Sequence, residues 1–90
     1  MSRAFVNEDA GGNAPRRGYG LPDRDDPGYD AAAAAALLEA ARAGETESAE
    51  LATGYYWGEP KLHTHVRRIR DRAIREGDDR LEQLATRFLR

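Results

Sequence analysis

Six alanines in succession, Ala31 to Ala36, follow Asp30 and lead directly into Leu37 and Leu38. Alanine has the highest intrinsic helix propensity and no side-chain entropy to lose, so this run fixes one helix before any tertiary contact is considered. Asp30 is its expected cap, Ala41 extends the apolar face, and Gly44 is the expected stop. The run also constrains everything else. A helix clothed in methyl groups lets neighbours approach closely but supplies little area to bury, so the few large apolar residues elsewhere must complete the core.

That restriction matters because the chain is short. Ninety residues hold one small domain, and a domain of this size leaves little interior for a deep substrate cleft. No catalytic motif or cofactor fingerprint stands in the sequence, so the expectation is a protein that is not an enzyme and carries no cofactor. There is no cysteine, which removes disulfide staples, a thiol nucleophile and cysteine-ligated zinc. No apolar run approaches the roughly 20 residues that span a bilayer, and the opening residues lack the apolar stretch of a secretory signal. A soluble, cytoplasmic protein without a membrane partner is expected.

The net charge of −2 conceals a strong asymmetry. Residues 1–29 carry four basic and five acidic groups, residues 30–59 one and six, and residues 60–90 nine and five. An acidic middle therefore precedes a basic end.

The first 29 residues hold eight of the glycines and prolines, from Gly11 to Gly28, and almost no apolar groups beyond Ala4-Phe5-Val6 and Leu21. Such a composition does not offset its ordering entropy, and residues 1–29 are expected to form a disordered tail. Residues 30–90 are expected to form the domain. After the alanine helix, a second helix is expected from Thr46, with Ala49, Leu51, Ala52 and Tyr55 at helical spacings and Gly58 as its end. Pro60 suits the first turn of a third, along which Leu62, Val66, Ile69 and Ala73 form an amphipathic seam that stops at Gly77. Asp78 or Asp79 caps a fourth, whose Leu81, Leu84, Ala85 and Phe88 share a face. No segment alternates with a period of two. The expected fold is all-α: a small bundle of about four helices, arranged as two helical hairpins, with a loose N-terminal tail.

Four groups of residues bear on function. The string Gly54-Tyr55-Tyr56-Trp57-Gly58 places three of the chain's seven aromatics side by side. Tyrosine and tryptophan are enriched in binding hot spots, yet consecutive helical residues point about 100° apart, so the three do not act as one surface. One exposed ring, Tyr56 or Trp57, is expected to remain for a partner. The arginines of the third helix, with Arg67 and Arg70 as contact candidates, make either a solvated face or a surface for an acidic protein; nucleic acid is the less favoured partner. Glu45, Glu47 and Glu50 form an acidic turn whose carboxylates either support the positive end of the second helix or meet a cation or a basic groove. His63 and His65, two residues apart on a helix, diverge by about 200° and do not chelate one metal; no metal site is expected.

The opening Ser2-Arg3-Ala4-Phe5-Val6, with Pro15-Arg16-Arg17 and Leu21-Pro22-Asp23-Arg24 after it, resembles the N-terminus of the GreB-like bacterial transcript-cleavage factors. In that family a helical hairpin enters the secondary channel of RNA polymerase, and acidic residues at its tip help position a catalytic Mg²⁺. Gly44 and Glu45 fall on the Gly-Asp of the family's tip sequence, Ser48 stands where the tip glutamate would be, and Glu50 lies two positions late. The resemblance implies RNA polymerase as a partner, reached through the tail or the acidic turn. The residues themselves point first to a small non-enzymatic helical protein-interaction domain, with a second copy of the chain among its expected partners because a homodimer would enlarge a thin core. A transcription-associated factor that contacts RNA polymerase is the alternative.

Overall fold

The structure, a computed structural model, describes residues 19–90. Helix α1 runs over Tyr29–Arg42, α2 over Thr46–Thr53, α3 over His63–Glu76 and α4 over Asp79–Phe88, with a 3₁₀ turn, Pro60–Leu62, leading into α3. The described residues contain no strand, and the all-α architecture expected from the sequence is the one observed.

α1 is the hub. It packs against α2, α3, α4 and the 3₁₀ turn, whereas α2 packs on α1 and not on α3 or α4. Ala33, Ala34, Ala36, Leu37, Leu38 and Ala40 are all buried, which leaves Ala35 and Glu39 as the exposed positions in the body of the helix. A helix covered on nearly every side is apolar nearly all round. Its methyl side chains explain how four other elements fit around 14 residues, since bulkier groups would hold the neighbouring backbones apart.

The large groups around this hub come from elsewhere. Leu62 and Val66 are fully buried and Ile69 is half-buried, so the apolar seam read from α3 faces the core. Leu81, Leu84, Ala85 and Phe88 bring the expected face of α4 to meet it. The two-residue link Gly77-Asp78 folds α4 back on α3. Gly77 takes the left-handed conformation (φ 72°) and ends α3, while the Asp78 side chain accepts the backbone N–H of Leu81 at 3.2 Å and starts α4. The same carboxylate receives Arg42 Nη1 at 2.9 Å, which ties the end of α1 to the α3–α4 turn. Arg42 and the Leu81 N–H hold the Asp78 carboxyl below the usual aspartate range.

Three expectations are corrected. Residues 19–28 lie in the segment assigned to the tail, but they pack on the domain: Tyr19 and Leu21 lie against the core, and the Tyr19 hydroxyl is 3.1 Å from that of Ser48. Residues 1–18 of that tail lie outside the described residues. Tyr29, also assigned to the tail, opens α1 and is 5 % exposed. The reason is area: in a core built on alanines, a tyrosine ring at the helix start contributes more burial than several methyl groups. Asp30 does not cap α1, because the chain enters through a turn in which Asp26 Oδ1 accepts the Gly28 N–H at 2.7 Å and the Asp26 carbonyl accepts that of Tyr29 at 2.9 Å. Finally, α2 ends at Thr53 and not at Gly58. Gly54 is left-handed (φ 80°), and the Thr53 hydroxyl accepts the Tyr55 N–H at 3.1 Å, so the backbone has a local alternative to a further turn.

Two outcomes test this architecture. Ala34→Leu should lower the unfolding free energy by roughly 1–3 kcal/mol through overpacking, whereas Ala35→Leu, one residue away on the exposed side, should leave the urea midpoint nearly unchanged. The depressed Asp78 pKa stabilises the fold above the ordinary aspartate value of about 4, and that contribution is lost as pH falls through the lower folded value. Asn retains the capping oxygen, so the stability gap between wild type and Asp78→Asn should shrink as urea melts are repeated from about pH 6 down to about pH 2.

Candidate functional site

The aromatic string lies on the loop between α2 and the 3₁₀ turn, and not on a helix as the sequence pattern suggests. Hydrogen bonds, and not helical angles, decide where each ring goes. The Tyr29 hydroxyl donates to the Thr53 carbonyl at 2.7 Å, satisfying an orphan acceptor in the last turn of α2. The Tyr55 hydroxyl donates to Asp30 Oδ1 at 2.7 Å, and its ring lies 6.4 Å from that of Tyr29. This bond to the Asp30 carboxylate raises the Tyr55 phenol pKa, with burial adding to the effect. Glu50 Oε2 accepts the Trp57 N–H at 2.8 Å and so closes the loop back onto α2. The Trp57 ring then meets Phe88 of α4 edge-on at 4.9 Å.

Tyr56 is left over. It is 78 % exposed, while Tyr55 and Trp57 are half-buried. One free ring was the sequence expectation, and the structure assigns it to Tyr56. Beside it stands Leu51, 73 % exposed, where the sequence pattern placed an inward residue. The signal was present: α2 buries Ala49 and Thr53, four apart, and a residue two positions after Ala49 points to the opposite side. Leu51, Tyr55 and Tyr56, with Gly54 between them, line an open groove rimmed by Glu47 and Glu50. Gly54, which leads into the loop that presents Tyr56, is left-handed (φ 80°), a conformation that favours glycine, and the Arg24 guanidinium lies close to it. Arg24 in turn sits over the Tyr29 ring, 5.3 Å from its centre.

The acidic turn is divided in the same way. Glu45 and Glu47 are exposed at the start of α2, whereas Glu50 is half-buried and engaged by the loop backbone. No group of three or more histidine and carboxylate residues suited to a metal ion occurs among the described residues. His63 and His65 are separated, as their spacing requires: His63 Nε2 lies 3.1 Å from the Gly58 carbonyl, to which it donates, and His65 Nδ1 lies 3.3 Å from Arg68 Nη1.

On α3, Arg67 is exposed and Arg70 is half-buried beside Asp71 at 4.0 Å. Arg68, Arg72 and Arg75, spaced four and three apart, surround a shallow floor of Ala31, Ala35 and Ile69 between α1 and α3. A third, more open depression beside Trp57 is bordered by Arg80 and Arg87 of α4. No helix among the described residues is long and apolar enough to cross a membrane.

The chain matches no protein-family model, and neither a curated protein nor a solved structure matches it.

The division of the aromatic string is testable by stability. Trp57→Ala should cost about 2 kcal/mol, below the 3–5 kcal/mol of a fully buried aromatic, because the ring is only half-buried to begin with. Tyr56→Ala should stay within about 0.5 kcal/mol of wild type in the same denaturant titration.

Proposed function

We propose that this chain is a small, non-enzymatic helical domain that binds another protein through the corner formed by Leu51 and Tyr56. One observation carries the reading: in a domain short of large apolar groups, two of them stand mostly exposed in one groove, Leu51 on α2 and Tyr56 on the loop after it, which is fixed by hydrogen bonds from Tyr55, Trp57 and Tyr29. Folding gains nothing from leaving them in water. A rigid aromatic beside an aliphatic side chain is the composition of an interaction hot spot, and its ordering cost is already met by the loop. Glu47 at the rim sets the chemistry of the partner: an apolar anchor flanked by cationic groups.

RNA polymerase is the partner suggested by the second reading, that of a transcription-associated factor. The exposed Glu45 and Glu47 are what the described residues offer it; the Ser2–Val6 string lies outside them.

Tagged full-length protein and the Leu51→Ser, Tyr56→Ser double variant, both checked for an unchanged thermal transition, should be compared in affinity capture from lysate of the source organism. The expected result is a defined protein retained by wild type and lost with the double variant. Retention of the same proteins by both would overturn the assignment of this corner. Polymerase subunits lost on Glu45→Gln, Glu47→Gln but kept by the Leu51/Tyr56 variant would favour the second reading.

A further inference from the structure

We infer that the partner of the Leu51–Tyr56 corner is a second copy of the chain, whose α1–α3 groove, lined by Arg68, Arg72 and Arg75, receives it. This inference rests on the reading of the corner as a protein contact and adds the identity of the occupant.

Each of the two surfaces carries what the other lacks. The corner presents the exposed Tyr56 and Leu51 with Glu47 at its rim, and Glu47 forms no ion pair among the described residues. The groove presents an apolar floor of Ala31, Ala35 and Ile69 between cationic walls, and Arg72 and Arg75 likewise form no ion pair among the described residues. The methyls of Ala31 and Ala35 keep the α1 side of the floor flat, beside the half-buried Ile69 of α3, so a ring can lie across it. Guanidinium groups at the wall both pair with carboxylates and stack on tyrosine faces, so the same arginines complement Glu47 and Tyr56 together. The acidic middle and basic end of the sequence are thus two faces of opposite sign on one domain.

Within one chain no ion pair joins Glu47 to Arg72 or Arg75 among the described residues. The corner is fastened to the start of α1 by the Tyr55–Asp30 bond at 2.7 Å, and the groove begins at Ala31, the next residue of the same helix. α1 therefore carries part of both, and the complementarity left unused within the chain is open to a second molecule. The contact is heterologous, corner to groove, and different patches of the two copies meet in it.

Sedimentation of the purified full chain, from about 1 µM to about 1 mM at low and high salt, reads the association directly, and ionic strength screens its rim charges. The expected result is a mass above that of the monomer, falling as salt is raised. Glu47→Arg with Tyr56→Ser blocks the corner, and Arg72→Glu with Arg75→Glu blocks the groove. All four positions are exposed, so both variants should keep the wild-type melting curve. Each variant alone should associate at least about tenfold more weakly than wild type, and an equimolar mixture should regain a 1:1 complex through the one intact corner and the one intact groove.

A wild-type chain that stays monomeric throughout, or a mixture no more associated than its components, overturns the proposal. So does association unaffected by either variant, which would put the contact on another face. A single-stranded oligonucleotide that binds the wild type but not the groove variant, with no self-association, would instead give the groove to nucleic acid. Monomeric purified protein together with a lysate partner lost on mutating Leu51 and Tyr56 would remove only the second copy and leave the interaction reading standing.

Discussion

The structure depends on how closely other elements approach α1. Four of its residues, Ala33, Ala34, Leu37 and Leu38, are at most 1 % exposed, and α2, α3, α4 and the 3₁₀ turn all contact the helix. Methyl groups alone bury little area, so the gain from close packing depends on the large groups that neighbours bring: Leu62 and Val66 before and in α3, Leu84 and Phe88 in α4, and Tyr29 at the helix's own start. Close approach and borrowed bulk are the two halves of one solution to a small domain's shortage of core.

α2 needs a different solution. It is only eight residues long, buries just Ala49 and Thr53, and touches none of the other helices besides α1. A helix this short has little stability of its own. Hydrogen bonds replace the missing packing: Tyr29 to the Thr53 carbonyl, Tyr55 to Asp30, and the Trp57 backbone N–H to Glu50. All three lie around the end of α2 and the loop after it, and together they fix the only part of the described surface where two large apolar side chains stand exposed next to each other in one groove. The polar network that secures the weakest element is also the mount for the candidate contact surface.

Charge follows the same division of labour. Arg42 and Asp78 join the end of α1 to the α3–α4 turn, so one pair from the acidic middle and basic end serves the fold. Most arginines of α3 and α4 find no such partner among the described residues, because α2, which carries Glu47 and Glu50, packs on another side of α1. Where α1 places its neighbours thus keeps the acidic middle and the basic end of the sequence largely apart.

Much of the fold was legible in the amino-acid order because its signals are local. The alanine run, the Leu62-Val66-Ile69-Ala73 seam, the Gly77 stop, the Asp78 cap and the Leu81-Leu84-Ala85-Phe88 face each act within one or two helical turns, and each appears where expected. Tyr55, Tyr56 and Trp57 occupy separate environments as expected, but on a loop and not on the helix from which that expectation came. Which ring stays outside was decided by tertiary contacts: Asp30 takes the Tyr55 hydroxyl across 25 residues, and Phe88 takes Trp57 across a longer span. The inclusion of Tyr29 in the core belongs to the same class, because its hydroxyl finds the Thr53 carbonyl 24 residues away. It depends on a partner distant in sequence, and no local pattern of spacing specifies which distant group will be near.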